Sequence, residues 1–255
     1  MYTLETLQQK IEKAKDLDFG TIFNESIELF KKVWVQGLLI VLLTYIMILP
    51  FYFLMYIPLI ATGVFDATSF ENNGDPDLTM LIPFYGIGLV VAFIAMIVMF
   101  GFKAAFFRIC KIKDHNEVGN DDYFFFFKKP YLGKTCKLGL MSMGLFVAAY
   151  ILCFFPVIYM IVPVTMINII YAFNPEISAS DIVKLSFKLG NKKWLLTVGL
   201  LFVAGILAGV VGMLMCGIGV LATTAFGYIP VYFIYKHTIG FNEKSEIDKI
   251  GLVEF

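Results

Sequence analysis

Six stretches of the chain run without a single Lys, Arg, Asp, Glu or His: 34–61, 80–102, 138–155, 157–173, 195–216 and 217–235. A hydrocarbon core about 30 Å thick is crossed by about 20 apolar residues of helix. The pattern therefore predicts an all-α polytopic membrane protein with six transmembrane helices. Between the runs the pattern changes character. Before the first, Leu4, Leu7, Ile11 and Ala14, then Ile22, Ser26, Leu29 and Val33, recur at helical spacing. Asp18-Phe19-Gly20-Thr21 interrupts them, so two amphipathic helices are expected, the second capped by Thr21. Residues 178–194 read the same way, with Ser180 as cap and Ile182, Leu185, Ser186 and Leu189 on one face.

At a constant offset the two segments align Ile22 with Ile182, Ser26 with Ser186, Leu29 with Leu189, Lys32 with Lys192 and Trp34 with Trp194. These are the chain's 2 tryptophans, each where an amphipathic helix meets a span, the headgroup level that indole prefers. Trp34 and Trp194 are therefore the expected interfacial anchors. A weaker third copy covers 121–136, where Tyr123 and Phe124 to Phe127 precede Lys128 and Lys129, an order suited to lying in the interface. Val162-Pro163-Val164 is echoed by Ile229-Pro230-Val231. The plan predicted is three parallel hairpin repeats, each with an amphipathic interfacial helix on the cytoplasmic side, unlike the inverted repeats common in secondary transporters. In the third hairpin, Gly205, Gly209 and Gly212, with Ala204 and Ala208, make a small-residue stripe for close helix packing. Intramolecular packing is the first reading and dimerisation the alternative.

Charge orients this plan. The net charge is zero, yet basic residues collect in the arm 1–33, in the central loop from Lys103 to Lys137, at Lys184, Lys188, Lys192 and Lys193 after the fourth run, and, after the sixth, at Lys236 and at Lys244 and Lys249 in the tail 237–255. The loop 62–79 holds Asp66, Glu71, Asp75 and Asp77 with no base. By the positive-inside rule the loop faces outward and both termini are cytoplasmic, flanking a membrane domain of 34–236. The polar first 33 residues are unlike a cleavable signal peptide, so the first span is expected to act as an uncleaved anchor. Cys110, Cys136, Cys153 and Cys216 show no CxxC spacing, and no disulfide or zinc site is expected.

Candidate chemistry is sparse. His115 lies in Asp114-His115-Asn116-Glu117 and His237 follows Lys236, both at cytoplasmic ends, and 2 histidines in all fall short of a catalytic metal set. Gly217-x-Gly219-x-x-Ala222 matches a dinucleotide fingerprint by letter but lacks a βαβ context. The hydroxyls of Ser142, Thr165, Thr197, Thr223 and Thr224 have no ionisable partner within a span, and a nucleophile without a base is no active site. Asp114, His115, Glu117 and His237 remain the best candidates for catalysis. Tyr159, Asn168, Tyr171, Tyr228 and Tyr232, with the helix breakers Pro163 and Pro230, are candidate cavity-lining residues for a lipid or amphiphile. The plainer alternative is kinked helices with interfacial tyrosines.

The succession Phe155-Pro156-x-Ile158-Tyr159, Asn174-Pro175, Ala179-Ser180-Asp181-Ile182 and Gly190-Asn191-Lys192-Lys193-Trp194, with Leu17-Asp18-Phe19-Gly20 and Leu29-Phe30-Lys31-Lys32, resembles uncharacterised bacterial six-helix membrane proteins. These are similar to the membrane domain ahead of the catalytic barrel in some glycerophosphodiester phosphodiesterases. No hydrolase domain follows here, so the resemblance implies only the non-catalytic part of such an enzyme. The expectation is a non-catalytic protein of the bacterial cytoplasmic membrane, structural, lipid-associated or partner-binding, with no cofactor. A transporter or extrusion helper for an apolar substrate is the alternative, and a membrane-embedded enzyme the second. Expected partners are the lipid bilayer and a second copy or another membrane protein, with no nucleic acid.

Overall fold

The computed structural model describes residues 2–61, 78–152, 154–215, 217 and 219–241. The acidic loop assigned outward, Cys153, Cys216 and the tail beyond Phe241 lie outside them. Every element among the described residues is helical. They are α1 (Leu4–Glu12), α2 (Phe19–Ala61), α3 (Leu78–Asp114), a 3-10 turn at Phe125–Phe127, α4 (Lys129–Leu152), α5 (Phe154–Phe173), α6 (Ala179–Lys192), α7 (Trp194–Leu214), α8 (Gly219–Thr223), a second 3-10 segment at Thr224–Tyr228, and α9 (Ile229–Thr238).

Five of these helices are long and apolar enough to cross a membrane, over Phe19–Ile57, Ile82–Asp114, Lys129–Leu152, Pro156–Phe173 and Trp194–Leu214. Large apolar side chains cover their outer surface: Phe53, Ile82, Phe202 and Met213 are 66–75% exposed. A contiguous apolar surface of that extent needs lipid to cover it. The chain is a multi-pass membrane protein.

The run 217–235, expected as a sixth continuous span, is instead broken into α8, the 3-10 segment and α9. Pro230 accounts for the break. It has no N–H to offer the Phe226 carbonyl, which takes the N–H of Ile229 in the tighter 3-10 manner. The turn before it closes on Gly217, whose φ of +79° suits glycine. α9 then enters the densest part of the molecule, where Ile229 to Tyr235 are all buried.

That core lies at the charged end of the bundle and is built of aromatic rings. Phe102, Phe106, Phe107, Phe126, Tyr171, Tyr232 and Tyr235 are all essentially inaccessible. The segment expected to lie in the interface contributes to it: Phe126 is buried and its ring meets Tyr171 at 4.7 Å between centroids. Thr135 holds the turn there, donating to the Phe126 carbonyl at 3.0 Å. Phe126 alone of the four phenylalanines is buried, while Phe124 stays 46% exposed at the surface of the segment.

Three local expectations change at the amphipathic helices. α2 runs unbroken through residues 33 and 34, about 65 Å in all, so the second amphipathic helix and the first span are one element. Its N-terminus is capped by Asp18 and not Thr21: the Asp18 carboxylate accepts from the Thr21 N–H at 2.7 Å and from its hydroxyl at 2.9 Å. Those bonds hold the Asp18 carboxyl below its usual range. α6 is capped by Ser178, not Ser180, through the N–H of Asp181 at 3.2 Å. In both helices the paired serines make the same bond. Ser26 donates to the Ile22 carbonyl and Ser186 to the Ile182 carbonyl, each at 2.7 Å and each fully buried.

Only part of the small-residue stripe on α7 packs within the chain: the 204/208/212 row does, and Gly205 and Gly209 do not. An added Cβ at Gly205 or Gly209 would meet nothing within 4 Å, whereas one at Gly212 would lie 2.7 Å from the Val220 backbone. Ala204 and Ala208 are buried beside it, and Thr223 donates to the Ala208 carbonyl at 2.7 Å. The tight turn after α7 returns the chain along the 204/208/212 row, which lies one helical position away from the 205/209 row.

Candidate functional site

A cavity of about 380 Å³ opens between α2, α3, α5 and the Thr224–Tyr228 segment. Its floor is buried: Ile40, Phe100, Val164 and Asn168 are 3–8% exposed. Its rim is open to the sides of the bundle through Tyr45 and Met99, 58% and 49% exposed. Volumes of this size are typical of small-ligand sites.

Most polar groups around it are already engaged. Thr44 and Thr165 donate to the carbonyls four residues earlier, Ile40 and Ile161, each at 2.7 Å. Thr224 does the same with Val220 at 2.6 Å. Besides the Tyr45 and Tyr228 hydroxyls, which make no hydrogen bond among the described residues, two groups are left unsatisfied. The Asn168 amide donates to the Phe100 carbonyl at 3.1 Å, while its buried Oδ1 has no partner among the described residues. Lys103 reaches the cavity with its ammonium 4.2 Å from the Tyr228 ring centroid. Among the described residues it makes no ion pair and no hydrogen bond.

The sequence had Lys103 as the first residue of a cytoplasmic loop. α3 continues past it to Asp114, so Lys103 sits within the helix, about 16 Å before its end. The missed signal is the run Ala104, Ala105, Phe106, Phe107, Ile109 and Cys110, all buried. Apolar periodicity resumes beyond the lysine, and a lone cation does not end a helix.

Of the candidate cavity residues, Asn168 and Tyr228 line this space. The other three do not, which corrects the expectation for them. Tyr171 bonds Thr135 inside the core, and Tyr232 donates to Asp114 at 2.7 Å. Tyr159 lies at the surface, where its hydroxyl donates to Asn191 and its carbonyl accepts from the Trp194 indole at 3.2 Å. Trp194 is thereby held by the protein, while Trp34 is 46% exposed.

A second depression adjoins the first. It holds about 470 Å³ and is lined by Ala92, Met96, Met143, Phe146, Val147, Tyr150 and Val157. Met96 and Phe146 belong to both. One face of α3 thus carries Lys103, Met99, Met96 and Ala92 in turn, at the spacing of successive helical turns.

Three of the candidates for catalysis lie together at the end of α3, and the fourth, His237, is on α9. Asp114 accepts from Lys236 at 2.6 Å as well as from Tyr232, and Glu117 pairs with Lys111 at 3.2 Å. His237 meets Glu25 at 2.6 Å. His115 lies 3.6 Å from Asp114, and its Nε2 is buried without a hydrogen bond. Cys110 and Cys136 are free thiols. Among the described residues no three His, Cys, Asp or Glu side chains converge on a metal-sized site. No protein-family model, curated protein or solved structure matches the chain.

Proposed function

We propose that the chain is a non-catalytic, lipid-associated protein of the bacterial cytoplasmic membrane that holds an amphiphile between its helices. The observation that carries this reading is the pair of joined spaces on α3, one with polar groups and one wholly apolar, open to the side where lipid lies. In this reading the chain makes six crossings with both termini cytoplasmic. The sixth is the discontinuous segment of α8, the 3-10 turn and α9, whose summed rise of about 30 Å matches the hydrocarbon core. The shared Ser26 and Ser186 bonds support two of the hairpin units as copies of one plan, and the likeness to phosphodiesterase membrane domains belongs to the same proposal.

The test is native mass spectrometry of the protein extracted in mild detergent. Wild type should retain one lipid per chain, and Thr165→Trp with Val147→Trp, which fill the two spaces, should release it. Equal retention by the filled variant would refute the reading. Topology is checked separately with single cysteines at position 73 and at exposed Lys129 in a background without native Cys. An impermeant maleimide applied to intact cells should label the first alone.

Transport of the bound amphiphile is the second reading. It is favoured by the broken helix itself, since Thr224 and Tyr228 bring irregular backbone to the cavity wall. Discontinuous helices mark substrate sites in many carriers. Protein-dependent release of a fluorescent lipid from vesicles would separate transport from binding.

A further inference from the structure

The two unsatisfied groups of the cavity say which end of an amphiphile belongs there. Lys103 is a cation in an apolar setting, and among the described residues no carboxylate answers it. Its one charge-sensitive neighbour is the Tyr228 ring, and a cation over a ring keeps much of its field unspent. An ionisable group that lines a cavity within an apolar helix, with no ion pair or hydrogen bond among the described residues, points to a ligand. Asn168 lines the same cavity from α5, 3% exposed, with its amide donor committed to the Phe100 carbonyl and its Oδ1 enclosed without a donor among the described residues. A buried acceptor without a donor is costly, and a ligand hydroxyl that reaches it through a shift of the cavity floor relieves it.

We infer that the site binds an anionic membrane lipid whose headgroup also carries a hydroxyl: the anion lies against Lys103, the hydroxyl donates to Asn168, and an acyl chain runs along Met99, Met96 and Ala92 into the apolar depression. This rests on the proposed lipid-holding function and adds the chemistry of the headgroup. The length of the α3 face supports a chain-bearing ligand over a free anion. From Lys103 to Ala92 it extends about 16 Å, and the far depression offers nothing polar that a free phosphate would use. Rim exposure at Tyr45 and Met99 supplies an entry from the side of the bundle. The plainer role for Lys103 is snorkelling, in which its stem covers apolar surface and its head reaches water. That role predicts no headgroup preference and separates the two cleanly.

The experiment measures lipid retention by native mass spectrometry on the full chain, with equimolar phosphatidylglycerol and phosphatidylcholine added. Wild type should prefer phosphatidylglycerol, and Lys103→Met should reduce that preference about tenfold, the worth of one charge-assisted hydrogen bond in an apolar site. Lys103→Arg should keep it. Lys129→Met with Lys137→Met, both exposed, should leave it unchanged; an equal loss there would mean mere surface attraction and would overturn the inference. Phosphatidylmethanol, anionic but without a hydroxyl, should bind several-fold more weakly than phosphatidylglycerol. Equal binding would remove Asn168 from the site. Inorganic phosphate at the same concentration should not compete, and competition would point to a free anion as the ligand. Should Lys103→Met fail to fold, a phosphatidylglycerol with a photoreactive group at its headgroup answers the question on wild type. Labelling should fall on α3 around Lys103, and labelling only elsewhere would overturn the assignment. Retained lipid that ignores the charge at position 103 sinks this inference alone, whereas no loss of lipid on filling the two spaces sinks the lipid-holding reading beneath it.

Discussion

Asp114 and Lys103 sit on one helix about 16 Å apart, and the fold treats them in opposite ways. Asp114 is met from the far end of the sequence by Lys236 at 2.6 Å and Tyr232 at 2.7 Å, with its own side chain 15% exposed. Those bonds fasten α9 to α3 and complete the aromatic core around Tyr232, Phe173 and Phe241. Lys103 is met by an aromatic face and an open space. A half-buried charge with two bonded partners is a structural fastening, because removing it strands the partners. A charge whose neighbour is an aromatic face lacks that fastening, and among the described residues its removal strands no hydrogen-bonded partner.

The largest effect should follow from breaking the fastened side. Asp114→Ala leaves the Lys236 ammonium and the Tyr232 hydroxyl without their acceptor, and should destabilise by about 3 kcal/mol. A lowered thermal midpoint in detergent, with early proteolysis after Tyr228, checks this. A midpoint equal to wild type would mean that α9 is held by apolar packing alone.

Next comes the same contrast on α7. Gly212→Leu drives a side chain into the Val220 backbone and should cost about 1–3 kcal/mol, as overpacking does. Gly205→Leu with Gly209→Leu meets open space in the chain and should leave the midpoint of the monomer unchanged. A loss of stability in that double variant, accompanied by a change in mass on native gels, would reveal a second copy seated on the outward face.

Smaller again is Lys103→Met, and its sign is informative. Taking away an uncompensated charge should leave the thermal midpoint of lipid-free protein unchanged or raise it by the equivalent of about 1 kcal/mol. A fall comparable with that of Asp114→Ala would show Lys103 to be a fastening too.

The smallest effect concerns an exposed pair. Lys188 donates to Glu12 at 2.5 Å and joins α1 to α6, and this bond and charge hold the Glu12 carboxyl below its usual range. A depressed carboxylate stabilises above its unfolded value and loses that contribution as pH falls through the folded one. Hydrogen exchange in α1 should therefore rise on acidification below the ordinary carboxylate range, and Glu12→Gln should flatten that dependence. Solvent screens such a pair, so the global midpoint should hardly move.

Several features of the molecule were decided locally and could be read along the chain. Uninterrupted apolar runs required helices and lipid, since backbone polar groups in hydrocarbon must bond within their own segment. The helical spacing of Ile22, Ser26 and Leu29, and of Ile182, Ser186 and Leu189, marked the faces that are buried. Asn168 and Tyr228 stood among five polar residues in apolar runs that were candidates to line a cavity, and these two line the one between α2, α3 and α5. Tertiary structure decided the rest. Whether Gly205 or Gly212 touches a neighbour depends on the direction in which the chain returns after Gly217, and no spacing rule contains that direction. Tyr171 and Tyr232 have the same composition signal as Tyr228, yet Thr135 and Asp114, distant in sequence, draw them out of the cavity and into the core. The meaning of Lys103 was hidden for the same reason. A lysine at the end of an apolar run is a boundary in one dimension, and only the packing of α2, α5 and the Thr224–Tyr228 segment around it turns that boundary into the wall of a cavity.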